Sequence, residues 1–375
     1  EIASCLVGSE MCIRDRINRI TMKNLRTFLV AFLLTMSFGI KAQDKKIKWK
    51  DIAESKDESF FETPEAKNIA ENVLLYQRDI GGWPKNIEMQ KELSSSEKQN
   101  LAKLKADPTG CTTDNGATCQ EMLFLSKIYK KQPDDRYKTA FLRGVMYLIT
   151  AQYKNGGWPQ FYPLKEGYYT NITYNDNSMV NILNLFKELK DKTGFYSIEV
   201  PDEIAKMVET SFNKGIDCII KTQYKQNGIL TAWCAQHDRE TLEPAKARAY
   251  ELPSLSGKES AKITLLLMSI KNPSKEVINA VETSTAWFEK TKLTGIKIET
   301  VDKDRVVVQD PNAEPLWARF MELKDNRPFF CDRDGVKKYS LAEIGHERRN
   351  GYAWYTNEPK EVLKKYPAWK KSLEK

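Results

Sequence analysis

The sequence is short of the residues on which many catalytic centres depend. Only two of its 375 residues are histidine, and its seven cysteines include no pair separated by two residues. It also lacks the phosphate-binding glycine loops, the GxSxG turn of serine hydrolases and the HExxH helix of zinc peptidases. These absences argue against nucleotide-dependent enzymes, α/β hydrolases and zinc sites.

Charge blocks and long apolar runs are scarce as well. The chain carries 59 Lys and Arg against 51 Asp and Glu, with both signs interleaved and a formal net charge of +8. Without a basic block we expect no nucleic-acid partner, whereas a modest positive balance suits a polyanionic substrate. The apolar run Phe28–Met36 is only nine residues long. It is too short to span a bilayer, so we expect no membrane association.

The N-terminal region has the pattern of an export signal. The basic stretch Met22–Arg26 precedes the apolar run, and Ala42 offers a small residue for cleavage. We therefore predict a signal peptide at 22–42, a non-native leader at 1–21, a polar linker at 43–60 and a single domain at 61–375. The protein is expected to be bacterial, secreted or periplasmic. Among the later cysteines, a Cys111–Cys119 disulfide and buried free thiols are both open.

The rest of the chain favours helices. Apolar residues recur every three to four positions, and Pro64 and Pro201 mark two helix starts. The pattern predicts helices that begin at 64 and 201, together with 118–129, 135–153, 179–189, 259–271 and 274–291. Alternating β-branched runs are scarce, and 297–308 is the best strand candidate. The expected fold class is therefore all-α.

A long repeat organises these helices. The segment YQRDIGGWPK at 76–85 reappears as QYKNGGWPQ at 152–160, and a decayed third copy runs from Gln223 to Trp233. Such spacing predicts repeated αα-hairpins, and three of them can close into an (α/α)3 toroid with its loops at one end. For Trp83 and Trp158 two roles are open: packing on the next helix after a helix stop, and stacking on a sugar ring.

Two segments rich in Asp and Asn each precede an apolar helix. They are TTDNGAT at 112–118 and NITYNDNSM at 171–179. One such side chain suffices to cap a helix N-terminus, but each segment carries more than one. The surplus of oxygen ligands suits a hard cation such as Ca²⁺, although neither segment matches an EF-hand loop. Helix capping and metal binding are both open.

A long irregular segment follows the third repeat. It contains AWCAQHD at 232–238 and ARAYE at 247–251, and His237 within it is either a structural hydrogen-bonding residue or a base. Near the C-terminus several arginines, among them Arg319 and Arg333, stand among aromatic residues. They are either surface charges or bidentate clamps for carboxylates.

Taken together, these segments resemble polysaccharide lyase family 10, the pectate lyases. The matching segments are GGWPKN, TDNGAT, NGGWPQFYP, TYNDNSM, AWCAQHD, ARAYELPSLSG, RFMELKDNRPFFCDRDG and RRNGYAWY, in family order from about residue 60 to the end. The resemblance implies the same (α/α)3 toroid. It also implies α-1,4-linked polygalacturonate (pectate) as substrate and calcium-assisted anti-β-elimination to 4,5-unsaturated oligogalacturonates. We expect the enzyme to be a monomer.

The resemblance also assigns roles to residues of the reaction centre. It implies that Arg248 in ARAYE is the base that removes the C5 proton, and that Asp176 binds calcium. Asp114 is implied as a calcium or substrate contact. An arginine is normally protonated, with a pKa above about 12. We expect calcium, Arg319 and Arg333 to depress the pKa of Arg248, and the optimum to be alkaline.

Substrate contacts follow in the same way. The resemblance implies that Asn115 lies beside Asp114 at the substrate, and that Arg319 and Arg333 hold uronate carboxylates. His237 and Tyr250 are implied as further substrate-binding residues.

Two other functions stay open on the sequence. A glycoside hydrolase on an α/α toroid would use Asp114 and Asp176 as its two carboxylates. A non-catalytic pectin-binding protein would use the aromatic residues without any chemistry.

Overall fold

Helices dominate the computed structural model, which describes residues 47–194 and 196–374. The predicted leader at 1–21 and signal peptide at 22–42 lie outside these residues. The described α-helices are α1 (Trp49–Ala53), α2 (Pro64–Tyr76), α3 (Ser95–Lys103), α4 (Cys119–Lys131), α5 (Asp135–Thr150), α6 (Ser178–Asp191), α7 (Asp202–Thr222), α8 (Glu259–Met268), α9 (Lys275–Thr291), α10 (His346–Gly351) and α11 (Pro359–Ser372). The seven helices predicted from apolar spacing are all present, and α1, α3, α10 and α11 are additional.

The predicted fold class, an all-α toroid, is wrong, because the structure contains strands as well as helices. About 47% of the structure is helical and 12% is strand. The described strands form antiparallel pairs: β1 (Ile172–Thr173) with β4 (Gln236–His237), β2 (Lys225–Gln226) with β3 (Ile229–Leu230), β5 (Ile296–Val301) with β6 (Asp304–Gln309), β7 (Trp317–Ala318) with β10 (Tyr355–Thr356), and β8 (Phe330–Cys331) with β9 (Lys337–Lys338).

The single strand predicted at 297–308 is a hairpin. Strands β5 and β6 pair over six residues each, from Ile296 opposite Gln309 to Val301 opposite Asp304. Asp302 and Lys303 form the two-residue turn with φ of 49° and 65°. Both central residues therefore adopt the left-handed conformation that tight hairpins require. Asp-Lys carries no glycine, so this turn is hard to recognise from the sequence.

Successive helices pack in pairs, as the repeat indicated. Helix α4 packs on α5, α6 on α7, and α8 on α9. Short connections of three to ten residues join each pair. Local capping fixes where the second helix begins: the Asp134 side chain accepts from the Arg136 N–H, and the Ser274 hydroxyl accepts from the Val277 N–H.

The glutamine of each repeat joins neighbouring parts of the chain. The amides of Gln77, Gln152 and Gln223 each donate to a carbonyl of their own loop at 2.9–3.0 Å. Each also donates to a carbonyl on the second helix of the following pair at 2.8–3.2 Å; these acceptors belong to Ala140, Ser211 and Ala280. The decayed third copy therefore keeps the structural role of the first two.

The tryptophans of the repeat are structural. Trp83, Trp158 and Trp233 are fully buried, and so is Trp317. Each indole N–H donates at 2.7–2.8 Å to a carbonyl of the preceding helix, on Val73, Leu148, Ile219 and Phe288 respectively. The stacking role considered for Trp83 and Trp158 is excluded, because a ring with no exposed face cannot meet a sugar.

The described part of the predicted linker is packed rather than free. Within 43–60, Trp49 and Ala53 of α1 are buried in the main hydrophobic core. The Trp49 indole N–H donates to the Glu121 carboxylate of α4 at 2.7 Å. The residues from Lys48 onward form one compact unit, so the domain begins before the predicted residue 61.

Two further observations concern the described residues as a set. The five cysteines among them are free and buried, so the alternative of buried thiols holds. No described helix has the length and apolar character needed to cross a membrane.

Candidate active site

The two segments rich in Asp and Asn form tight turns that pack against each other. Asp114–Gly116 and Asn175–Asn177 are each a single 3-10 turn immediately before α4 and α6. Asn115, Asp176 and Asn177 adopt positive φ values of 51° to 63°. Asn and Asp tolerate this left-handed conformation better than most residues. The composition of both segments therefore serves the turn as well as any chemistry.

Thr118 marks the first turn as strained. It has φ of 66°, an uncommon value for a β-branched residue. Its buried hydroxyl donates to the Thr112 carbonyl at 2.8 Å and accepts from the Trp83 N–H at 3.1 Å. These two bonds hold the turn that carries Asp114. Backbone strain of this kind is typical of functional sites.

Asp114 is buried beneath a lysine. Its Oδ2 atom accepts a very short bond from Lys85, whereas its Oδ1 atom is buried with no hydrogen-bond partner among the described residues. Asn115 is exposed and donates to the Asn86 side chain at 3.0 Å. Lys85 is the last residue of the first repeat and Asn86 follows it, so that repeat continues directly into the site.

Asp176 belongs to a second group of charges. Lys258 Nζ lies 3.1 Å from Asp176 Oδ1, and Arg319 Nη2 lies 3.6 Å from the same atom. Arg319 also contacts the buried Glu259 at 3.0 Å and Asn175 at 2.8 Å. Burial opposes ionisation of Asp176, but the charges of Lys258 and Arg319 outweigh it and hold the pKa of this carboxyl below its usual range.

Arg248 is held by a neighbouring carboxylate. Its Nε and Nη2 atoms donate to the two oxygens of Glu251 at 2.8 Å and 2.6 Å, and the Tyr352 hydroxyl donates to Glu251 at 2.7 Å. The hydrogen bonds that Arg248 donates to Glu251 hold the pKa of Arg248 above its usual range. This is opposite to the expected depression, because that expectation left out Glu251.

Aromatic rings join the arginines into one cluster. The Tyr352 ring centroid lies 4.6 Å from the Arg319 guanidinium and 5.8 Å from that of Arg248. Tyr250 lies 5.2 Å from Arg248 and 4.8 Å from Arg348. Tyr250 is itself 4% exposed. The buried Tyr250 ring therefore packs against the arginines and offers no open face to a substrate.

Arg333 stands at the edge of this cluster. Its guanidinium contacts Glu347 at 3.0 Å, and its side chain is 68% exposed. Glu347 also binds Arg348, which lies over Tyr250. Arg333 is thus a solvent-exposed cation at the edge of the cluster, whereas Arg319 is buried.

His237 does not fit its predicted substrate role. It is fully buried; its Nε2 accepts from the Cys234 N–H at 3.2 Å, and its Nδ1 bonds the Leu242 carbonyl at 2.9 Å. Burial lowers the pKa of His237 to about 4. A neutral ring with both nitrogens engaged by the main chain fixes the loop, and this is the structural alternative weighed for it.

Several residues of the site had not been singled out from the sequence. They are Lys85, Lys258, Glu251, Glu259 and Tyr352. Each lies inside or next to a segment that had been noted, but lysine and glutamate occur throughout this chain. Only the fold shows which of them meet a buried carboxylate or guanidinium.

Comparisons with known proteins identify the family of the chain. The sequence model of the pectic acid lyase family matches residues 77–363. The chain belongs to that family. It is also similar to the family 10 polysaccharide lyase from Cellvibrio cellulosa, with 34% identity over 85% of this chain and 94% of that chain and a TM-score of 0.73.

A second similar structure is an aspartate-to-alanine mutant of the family 10 polysaccharide lyase from Cellvibrio cellulosa in complex with trigalacturonic acid. It is 35% identical over 85% of this chain and 95% of that chain, with a TM-score of 0.73. The curated proteins gave no match. The predicted membership of polysaccharide lyase family 10 is confirmed, and the chain is a polysaccharide lyase with pectate lyase activity.

Proposed function

We propose that this enzyme cleaves α-1,4-linked polygalacturonate by anti-β-elimination and leaves a 4,5-unsaturated end. The observation that carries the proposal is the cluster in which Arg248, Arg319 and Asp176 meet around Tyr352. It combines a candidate base, cationic partners for uronate carboxylates and an acidic ligand. The complex of the Cellvibrio cellulosa lyase with trigalacturonic acid supports the same class of substrate.

Substrate carboxylates would meet the partly exposed cations at the rim of the cluster. Arg333 is 68% exposed, and Lys85 and Lys258 have 27% and 20% of their side chains accessible. Arg319 is almost completely buried and already balanced by Glu259. We therefore assign direct carboxylate binding first to Arg333, and assign to Arg319 the role of holding Asp176 and Tyr352 in place.

The residues present fit a calcium ion at the two turns. Asp176 supplies a carboxylate, and the side-chain oxygens Asp114 Oδ1 and Asn177 Oδ1 are buried without a partner among the described residues. Carboxylate and amide oxygens are the ligands that calcium prefers. No three His, Cys, Asp or Glu side chains gather in the described chain, so amide and substrate oxygens would complete the shell. When bound, calcium would neutralise the uronate carboxylate and acidify its C5 proton.

Arg248 is the proposed base. In its neutral form it would accept the C5 proton while a double bond forms between C4 and C5 and the C4–O4 bond breaks. The O4 atom would leave with the departing part of the polymer and take a proton from water. The Glu251 carboxylate opposes this step, because it stabilises the guanidinium form. Activity should therefore rise with pH, and substrate binding should weaken the contact between Arg248 and Glu251 before proton transfer.

Hydrolysis is less well supported. A glycoside hydrolase needs one carboxylic acid that stays protonated near neutral pH. Asp114 and Asp176 each bind a lysine, and the pKa of Asp176 is lowered. Neither is therefore in the environment of a general acid. A pure binding role leaves the Arg248–Glu251 pair without a function.

We further propose export to the periplasm or medium, from the signal-like segment at 22–42.

Product analysis separates these functions. Purified enzyme is incubated with polygalacturonate at alkaline pH, and ultraviolet absorbance and new reducing ends are followed together. We expect both to rise, because elimination creates a conjugated double bond at each break, and a chelator to stop them. Reducing ends without absorbance would indicate a hydrolase, and neither signal from folded protein would indicate a binding protein.

A further inference from the structure

An aromatic loop connects the two sides of the proposed site. This loop, residues 161–171, begins where Phe161 pairs with Thr112 in an antiparallel bridge. Lys85, which binds Asp114, lies 5.4 Å from the Phe161 ring centroid. At its other end Asn171 donates to the Lys246 carbonyl at 3.2 Å. The aromatic loop thus runs from the Asp114 turn to the segment that carries Arg248.

Main-chain contacts fix the conformation of this loop. The Tyr147 hydroxyl donates to the Tyr162 carbonyl at 2.9 Å, and the Tyr153 hydroxyl donates to the Thr170 carbonyl at 2.8 Å. The Gln160 N–H donates to the Tyr169 carbonyl at 3.0 Å. A loop held near both ends has fewer conformations open to it, which lowers the entropy lost on binding a ligand.

The loop presents aromatic faces and one cation beside the site. The Tyr168 and Tyr169 ring centroids lie 4.1 Å apart at 35°, and both residues are half-buried. The ammonium group of Lys165 lies 4.4 Å from the Tyr169 centroid and 5.2 Å from that of Phe161. Within 47–194 and 196–374, no carboxylate lies within ion-pair distance of the exposed Lys165.

We propose that the aromatic loop is an additional subsite for a galacturonate unit beyond the bond that is cleaved. Tyr168 supplies a ring face for the sugar, and Lys165 pairs with its carboxylate. The inference rests on the proposed function for the nature of the ligand. Pyranose rings have apolar faces that pack on aromatic rings, and each uronate unit carries one negative charge. An unpaired ammonium held on ring faces matches both features.

The consequence is a dependence on chain length. A short ligand fills the positions around Arg248 and does not reach the loop, whereas a longer one contacts both. Lys165→Gln should therefore weaken binding of hexagalacturonate about fivefold, in the range of a partly exposed ion pair, and leave digalacturonate unchanged. Tyr168→Ala should weaken hexagalacturonate about tenfold, and Tyr168→Phe should keep most of the affinity.

Calorimetric titration tests this without turnover. Each substitution is made in an Arg248→Ala background, and digalacturonate and hexagalacturonate are titrated with calcium present. Lys154→Gln, which removes an exposed lysine in the second repeat away from the site, is the matched control. Lys165→Gln keeps a polar surface residue, so it remains informative if Tyr168→Ala does not fold.

The outcomes separate this inference from the proposed function. Loss of hexagalacturonate affinity in Lys165→Gln but not in Lys154→Gln supports the subsite, even if the wild-type enzyme proves to be a hydrolase. Equal affinities in all variants overturn it, even if the wild-type enzyme forms unsaturated products. An equal loss for both ligand lengths also overturns it, because Lys165 would then act on the central positions.

Discussion

The buried carboxyl group of Glu121 should make this enzyme lose stability as the pH rises. Glu121 lies in the first turn of α4 and is 2% exposed; one oxygen accepts from the Trp49 indole and the other has no partner among the described residues. Burial raises its pKa from 4.5 to about 7. Burying a charged carboxylate without a full set of hydrogen bonds is unfavourable, so the folded state favours the neutral acid.

The sign and size of the effect follow from that shift. Below pH 4.5 Glu121 is protonated in both states and costs nothing. Between 4.5 and 7 the unfolded chain releases the proton and the folded one keeps it, so the free energy of unfolding falls with pH. Above 7 the loss is complete, at about 3 kcal/mol for a shift of roughly 2.5 pKa units. The penalty is therefore fully present at the alkaline pH where we expect the enzyme to work.

Glu121→Gln tests this reasoning. Glutamine resembles the protonated acid and keeps an acceptor for the Trp49 indole, so we expect little change in the free energy of unfolding at pH 4.5. At pH 9 we expect the variant to be about 3 kcal/mol more stable than wild type. Urea denaturation at both pH values measures the difference, with Glu209→Gln on the exposed face of α7 as the control. A gain of the same size at both pH values, or no gain at pH 9, would refute the reasoning.

Three further predictions concern the site and the repeat. Glu251→Gln should move the pH–rate profile to lower pH by about 1 unit, because the pKa of Arg248 falls without its carboxylate partner; an unchanged profile would count against Arg248 as base. Lys258→Met should tighten calcium binding about tenfold in calorimetric titration, because it removes a cation 3.1 Å from Asp176. The control Lys262→Met should leave calcium binding unchanged, and equal calcium affinities of the two variants would contradict the prediction. Gly156→Ala should lower the free energy of unfolding by more than about 3 kcal/mol, since φ is +94° and a Cβ would lie 1.9 Å from the Lys214 carbonyl oxygen. Gly110→Ala, at φ +81° in open space, should lower it by only about 1 kcal/mol. Similar urea midpoints for the two variants would show that the repeat glycine is not needed for close approach of the main chain.

The sequence predicted well those features that depend on local patterns. Apolar spacing located seven helices, because a helix must bury one face whatever its neighbours are. The repeated Gln and Trp recur because each copy makes the same two kinds of hydrogen bond to the main chain. The two segments rich in Asp and Asn were expected just ahead of apolar helices, and they do precede α4 and α6. Their left-handed turns were not predicted.

The missed strands leave little local pattern in the sequence. The β5–β6 turn uses Asp302 and Lys303, without the glycine that often marks a two-residue hairpin. Four of the five described sheets contain strands of only two residues, too short to leave a periodic pattern in the sequence. Strand content was therefore underestimated, and the all-α class was wrong.

The charges of the site show the same limit. Arg248 and Glu251 are three residues apart, yet the sequence did not indicate that their side chains would pair. Lys258 and Asp176 are 82 residues apart, and Tyr352 reaches Glu251 across 101 residues. Which cation meets which carboxylate depends on how the helix pairs bring their loops together. The burial of His237 likewise followed only from the β1–β4 pairing around it.

The most direct test of the central claim is the rate of ultraviolet absorbance growth on polygalacturonate at alkaline pH, with calcium, for wild type and Arg248→Ala compared at equal folded concentration. We expect steady growth for wild type and a loss of at least about a hundredfold for Arg248→Ala, in the range expected for removal of a general base. Growth in the variant at the wild-type rate would contradict the assignment of Arg248, and no growth in wild type would contradict elimination itself.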